Sequence, residues 1–309
     1  MLMNLLIFVG GLILMIKGAD FFVKGASSLA LKFKIPQIII GLTIVAMGTS
    51  APEACISINS ALKGSTGVAI GNILGSNIVN ILFILGLTSA ICALRLEKNS
   101  VKWEIPFSIF VTSFLCMVGY YYNILDRLFG FILLVFLCLF FVYLFKITKI
   151  NEDNTDDTPV KLNIFKMIIF IIGGLVALVY GSDLTVNSAI NIAHSLSISE
   201  RVIGLTIVAL GTSLPELVTS IVAAIKKQPD IAVGNIIGSN LFNILFVLGL
   251  TCVIHPVVFD KAFIFDGIVA IASVMLLFAF TCFDRKLNRW EGLLFLTVYA
   301  GYLSYLILK

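Results

Sequence analysis

Charged side chains are scarce in this chain. Of its 309 residues only 12% are Asp, Glu, Lys or Arg, 60% are hydrophobic, and the mean hydropathy is +1.09. That balance excludes an ordinary soluble globular domain and indicates an integral membrane protein. Histidine is limited to His194 and His255 and no H-E-x-x-H occurs, which excludes the zinc-protease pattern. Tyr180-Gly181-Ser182-Asp183 does not match the G-x-G-D element of intramembrane aspartyl proteases, so an intramembrane enzyme is disfavoured. The six cysteines (Cys55, Cys92, Cys116, Cys138, Cys252, Cys282) include no C-x-x-C pair and fall within apolar runs. They read as small buried hydrophobes, not as a disulfide framework. Short segments of alternating polarity, the mark of a membrane β-barrel, are also missing.

What is present is a series of apolar runs of roughly 20 residues, the length an α-helix needs to cross hydrocarbon. Ten spans are expected, near 3-24, 36-62, 68-93, 104-122, 127-147, 163-189, 199-225, 231-254, 263-283 and 290-308. The first has no charged leader and no small-residue cleavage site, and is expected to be a mature helix. One set of alternate loops carries Lys32, Lys34, Arg95, Lys98, Lys102, Lys146, Lys149, Lys161, Lys166, Lys226, Lys227, Arg285, Lys286 and Arg289. The other has only Lys63, Arg127, Arg201 and Lys261. By the positive-inside rule the first set is cytoplasmic, so both termini are expected outside and the cell membrane is the expected location. The net charge of +4 therefore reflects orientation, and nothing suggests nucleic-acid binding. Trp103 and Trp290 fall where spans meet the cytoplasmic surface, as interfacial anchors do.

Two segments repeat at one spacing. Gly48-Thr49-Ser50-Ala51-Pro52-Glu53 recurs as Gly211-Thr212-Ser213-Leu214-Pro215-Glu216, 163 residues later (216 − 53). Gly71-Asn72-Ile73-Leu74-Gly75-Ser76-Asn77-Ile78-Val79-Asn80 recurs as Gly234-Asn235-Ile236-Ile237-Gly238-Ser239-Asn240-Leu241-Phe242-Asn243, and Asp20 matches Asp183. One register across three segments implies a duplicated unit of five helices. Five is odd, so the second copy enters the membrane from the opposite side, the inverted-repeat architecture of many secondary transporters. The expected organisation is a first repeat over 1-147, a cytoplasmic linker over 148-162 and a second repeat over 163-309. The acidic stretch Asn151-Glu152-Asp153-Asn154-Thr155-Asp156-Asp157 lacks the calcium-loop pattern and reads as solvated linker.

Proline lacks an N–H and crowds the carbonyl four residues back, so Pro52 and Pro215 should break the second and seventh helices and free the carbonyls of Gly48 and Gly211. Irregular backbone is tolerated at membrane depth only where it is buried in protein or lines a watery cavity. A carboxylate there costs at least ~2.5 kcal/mol, which calls for a function. Carbonyls, the hydroxyls of Thr49, Ser50, Thr212 and Ser213, and the carboxylates of Glu53 and Glu216 are hard oxygen donors, suited to a cation. Two carboxylates balance one calcium ion, and an empty site would repel itself, which is a physical basis for exchange. The competing reading makes proline and glycine mere kink and packing residues, with the glutamates as protonated, hydrogen-bonded acids. Asp20 and Asp183 are expected to orient helix ends or to pair with Lys17 or Lys24. The Gly-Asn-x-x-Gly-Ser-Asn segments permit close helix packing, and Asn80 and Asn243 are candidates for completing the site directly or through water.

At these motifs the sequence resembles the cation/calcium exchanger superfamily, in particular the prokaryotic sodium/calcium exchangers, over nearly its whole length. The match includes α-repeats at about 36-83 and 199-246 and the Arg289-Trp290-Glu291-Gly292 span. The resemblance implies an all-α, ten-helix fold with broken helices 2 and 7, a monomeric transport unit, no cofactor and no enzymatic activity. It implies four ion sites in a diamond, where one calcium competes with about three sodium ions. Calcium would be held by Glu53, Glu216, Thr49 and Thr212. Flanking sodium sites would use Ala46, Thr49, Ser50, Ser76 and Glu216 on one side and Ala209, Thr212, Ser213, Ser239 and Glu53 on the other. Alternating access would come from sliding of the first and sixth helices. Family members usually pair an asparagine with an aspartate at the positions of Asn80 and Asn243, and here both are asparagine. Proton/calcium exchangers tend to carry G-N-x-P-E, so Thr49 and Thr212 favour sodium, with proton/calcium or other cation exchange as the alternative. A channel is the less suitable class, because inverted halves around a shared site suit rocking or sliding.

Overall fold

The computed structural model describes residues 2–150, 162–196 and 209–308. Eleven helical segments position the site: α1 (Leu2–Lys32), α2 (Gln37–Thr49), α3 (Ala51–Leu62), α4 (Thr66–Ile91), α5 (Ser100–Tyr122), α6 (Arg127–Thr148), α7 (Ile164–Ser195), α8 (Leu214–Ile225), α9 (Pro229–Ile254), α10 (Phe263–Thr281) and α11 (Arg289–Leu308). Among the described residues, eight are long and apolar enough to cross a membrane, and α2 with α3 forms a further span bent by 48°. The expected span over 199-225 is described only from Ala209–Gly211 onward, and most of the expected linker lies outside the described residues.

The first and sixth spans run past their apolar limits, to Lys32 and Ser195. Small residues explain this. Gly11, Gly18 and Gly25 of α1 face Gly181, Gly174 and Ile171 of α7, and a Cβ at Gly18 would lie 2.8 Å from the Gly174 carbonyl. Backbones approach closely along that seam, and helix packing in lipid rests on such contact because no hydrophobic effect drives it. Polar Asp20 and Lys24 can then continue the helix beyond the hydrophobic run.

Two two-residue antiparallel pairs depart from a purely helical fold. Leu94–Arg95 (β1) pairs with Lys286–Leu287 (β4), and Ile124–Leu125 (β2) with Val257–Val258 (β3). Each joins a loop of one half to a loop of the other, and the repeat operation exchanges one pair for the other. The cysteine expectation is corrected too: all six are free, but only Cys252 is buried, while Cys55 and Cys138 are exposed. In a membrane protein a small apolar side chain can face lipid at no cost.

The duplication extends to helices the motifs do not reach. The buried face of α5 is Ile105, Ser108, Val111, Thr112, Leu115 and Gly119. That of α10 is Gly267, Ala270, Ser273, Val274, Leu277 and Thr281, each 162 positions later (267 − 105). The one-residue change from 163 coincides with a π-helical segment at Ser100–Glu104, the geometry by which a helix absorbs an extra residue.

Candidate ion-binding site

Both G-T-S-x-P-E motifs break their helices at the serine. Ser50 (φ −81°, ψ 7°) ends α2 and Ser213 (φ −91°, ψ 7°) precedes α8. Each proline then occupies the first turn of the next helix, where its missing N–H leaves no bond unmade. Glu53 and Glu216 share that first turn, at the end where helical amides favour a negative charge. Both carboxylates are 0% exposed.

Hydrogen bonds form matched pairs, some between the halves and some within each half. Ser50 donates to Glu216 Oε1 at 3.0 Å and Ser213 to Glu53 Oε1 at 3.2 Å. Ser239 adds a long bond to Glu216 at 3.5 Å. Asn72 donates to the Glu53 carbonyl (3.2 Å) and to Ser57 (3.0 Å), while Asn235 donates to the Glu216 carbonyl (3.3 Å) and to Ser220 (3.0 Å). Deeper in, Asn77 and Asn240 each donate to the other's backbone carbonyl at 3.2 Å. Asn80 donates to Asn240 Oδ1 at 3.0 Å and Asn243 to Asn77 Oδ1 at 3.1 Å. Asn80 and Asn243 lie in π-helical segments, Val79–Leu85 and Asn243–Leu248, which widen the turn.

These bonds leave a defined residue of oxygen. Glu53 Oε2, Glu216 Oε2, Asn80 Oδ1 and Asn243 Oδ1 are buried and have no hydrogen-bond partner among the described residues. Buried polar atoms without partners are rare in folded proteins and need a reason. Two carboxylate and two amide oxygens, related by the repeat, form a donor set fitted to a hard cation. Among the described residues no cluster of three His, Cys, Asp or Glu exists.

Thr49 and Ser50 are 0% exposed, and Ser76, Ser213, Ser239 and Ala46 are buried beside them. Ala209 begins the short helix Ala209–Gly211. One expectation is corrected: the Gly211 carbonyl, which Pro215 should leave free, accepts a hydrogen bond from Ser182 at 3.1 Å. Asn72, Asn235, Asn77 and Asn240 were not expected in the site, although their position at the common repeat offset was the available signal.

The symmetry fails at Ser239, whose bond to Glu216 has no counterpart from Ser76 to Glu53 among the described residues, and at the threonines. Thr49 bonds Asn235 Oδ1 at 3.0 Å, but its counterpart Thr212 makes no such bond with Asn72. Asn235 is 0% exposed, whereas Asn72 and Thr212 are only half-buried and line a cavity of about 530 Å³. Among the described residues, the chamber is covered on the side of α9 and approached by a cavity on the side of α4.

Residues 3–148 and 166–308 match the family model described as sodium/calcium exchanger protein. The chain is 32% identical to the sodium/calcium exchanger MaX1 of Methanosarcina acetivorans, with 97% of each chain covered. It is 34% identical to the inner membrane protein YrbG of Escherichia coli over 94% of this chain and 92% of that protein. A solved structure of the sodium-calcium exchanger NCX_Mj, soaked with sodium and strontium, superposes with a TM-score of 0.84 at 32% identity, covering 98% of both chains.

Proposed function

The chain belongs to the sodium/calcium exchanger protein family, and on that premise we propose that its buried chamber carries calcium in one direction and sodium in the other by alternating access. In this reading Glu53, Glu216, Thr49 and Thr212 hold calcium. Sodium takes Ala46, Thr49, Ser50, Ser76 and Glu216 on one flank and Ala209, Thr212, Ser213, Ser239 and Glu53 on the other, with Asn80 and Asn243 completing the chamber between them.

The observation that supports this most is the matched pair of fully buried carboxylates, each keeping one oxygen without a partner while the other is fixed by a serine of the opposite half. Two such charges in a medium of low dielectric repel strongly, so the vacant chamber is costly. One calcium ion, or sodium ions at the flanking positions, neutralises it. A cycle in which the loaded forms reorient and the vacant one does not is an exchange cycle. The serine bonds hold the carboxylates in place, so that a change of cation needs little reorganisation.

The positions of lysine and arginine support an orientation with both termini outside and the 148–162 linker in the cytoplasm, and one chain contains every proposed ligand, which supports a monomeric transport unit. Calcium-45 uptake into proteoliposomes tests the reading, with sodium, potassium and pH varied independently. Uptake should require an outward-directed sodium gradient. Uptake indifferent to both sodium and pH would overturn exchange of either kind.

A further inference from the structure

Inside a helix, a threonine readily turns its hydroxyl back onto the carbonyl four residues earlier. Thr43, Thr88, Thr112, Thr185, Thr251 and Thr281 all do so here, at 2.6–2.8 Å. Among the described residues, two threonine hydroxyls are buried without any partner, Thr212 and Thr219. Thr212 belongs to the chamber already described. Thr219 has no role there, yet it is 0% exposed and stands three positions after Glu216 on α8, on the same helix face. Glu216 Oε2 likewise has no partner. A buried hydroxyl without a bond destabilises the fold, and valine, of nearly the same shape, would not.

The repeat relates this position to an ion route. The counterpart of Thr219 is Ile56 (219 − 163), which is 37% exposed and lines the cavity of about 530 Å³ together with Asn72, Ser76 and Thr212. Elsewhere the buried faces of α3 and α8 match residue for residue, Glu53 with Glu216, Ser57 with Ser220 and Ala61 with Ala224. Thr219 is on the covered side, where α1 packs along α8 and Asp20 pairs with Lys226. When the two halves exchange environments, Thr219 comes to line the opposite route as Ile56 lines the present one. The hydroxyl without a partner in this state then meets the ion or its water.

We propose that Thr219 is a cation-binding residue of the access route opposite the cavity, where its hydroxyl oxygen, with Glu216 Oε2, takes up a sodium or calcium ion as it passes between the chamber and that membrane face. This rests on the reading of the chamber as the transport site. A neutral hydroxyl beside a carboxylate is a hard-oxygen pair of the kind both ions accept. The cavity route offers isoleucine at the same place, so the two faces of the membrane differ in how the ion is captured.

Two measurements test it. In right-side-out and inside-out membrane vesicles, Thr219→Val should raise the calcium concentration for half-maximal uptake about fivefold more at the face opposite the cavity than at the cavity face. Thr219→Ser, which keeps a hydroxyl, should leave that ratio as in wild type. A ratio unchanged by Thr219→Val, or changed as much by Thr219→Ser, overturns the proposal. Thr219→Val should also melt no lower than wild type, because it removes no bond; a lower melting temperature would show a structural hydroxyl and overturn the proposal too.

The second measurement does not depend on sodium-driven uptake. With all six cysteines replaced by alanine and calcium and sodium present on both sides, Thr219→Cys should react with a membrane-impermeant cationic methanethiosulfonate from the face opposite the cavity, and Ile56→Cys from the cavity face. Reaction of Thr219→Cys from neither face, or from the cavity face, overturns the proposal. Absence of sodium-driven uptake in wild type would instead overturn the reading of the chamber and leave the labelling to decide Thr219 by itself.

Discussion

Lys226 forms an ion pair with Asp20 and donates to the Asp20 backbone carbonyl at 3.1 Å, fastening the end of α8 to the middle of α1. The repeat counterparts of these residues are Lys63 and Asp183, both also 163 positions away (226 − 63, 183 − 20). Among the described residues no ion pair joins them, and Asp183 accepts instead from Asn187 at 3.0 Å. The fastened pair is on the covered side of the chamber and the unfastened pair on the side of the cavity. Of the roles expected for Asp20, pairing with Lys24 is met at 2.9 Å, whereas Asp20 lies in the middle of α1 and not at its end; the cross-helix lysine was not foreseen.

Removal of that contact should loosen the covered side. The Lys226 and Asp20 side chains are 22% and 30% exposed, so the pair contributes about 0.5–1 kcal/mol, a two- to fivefold effect on the opening equilibrium. Lys226→Met should speed amide exchange between Val23 and Ala30 by that factor. Exchange at the wild-type rate would show that the pair does not hold the helices together.

A single methyl group should separate folding from turnover. A Cβ at Gly238 would lie 2.7 Å from Leu42 Cα, whereas one at its counterpart Gly75 meets nothing within 4 Å among the described residues. If the two halves exchange environments during transport, Gly75 must in turn pack as Gly238 does. Gly75→Ala should therefore fold with an unchanged melting temperature and bind calcium normally, yet transport at least about tenfold more slowly, as overpacked positions cost about 1–3 kcal/mol. Gly238→Ala should lower the melting temperature directly. Wild-type turnover in Gly75→Ala would contradict an exchange of packing between the halves.

Asn243→Asp tests the doubled asparagine. Asn243 donates to Asn77 Oδ1, and an ionised aspartate cannot, so that bond, worth about 1 kcal/mol, is lost along with its donor. The new charge lies with oxygens that already lack partners. The variant should melt at a lower temperature without calcium, and calcium should stabilise it more than it stabilises wild type. A calcium-induced shift no larger than that of wild type would place this position outside the ion's reach.

The break at Ser50 and Ser213 was legible because its cause is local: proline acts on the residues just before it, and a carboxylate three positions from the break has few soluble-like excuses inside an apolar run. The duplication was legible for the same reason. The asparagine lattice of Asn77, Asn240, Asn80 and Asn243 was not, because each amide is satisfied by the opposite half and no local pattern specifies that pairing. The match between the buried faces of α5 and α10 was hidden by the extra residue that the π-helical Ser100–Glu104 absorbs, which shifts the register from 163 to 162. One-sided access was illegible in principle, since Thr49 and Thr212 stand in nearly identical sequences and differ only in what packs over them.

The central claim is that Glu53 and Glu216 together hold calcium in competition with sodium. Equilibrium binding of calcium-45 to the purified protein tests it most directly, in wild type, Glu53→Gln and Glu216→Gln, each over a range of sodium concentrations. Each variant keeps an oxygen to accept its serine's bond but removes one of the two charges. The account predicts that sodium displaces calcium from wild type with a Hill coefficient above 1, and that either variant loses at least about 100-fold in affinity, about 2.7 kcal/mol. Calcium binding of wild-type strength in either variant, or binding to wild type that sodium does not displace, would contradict it.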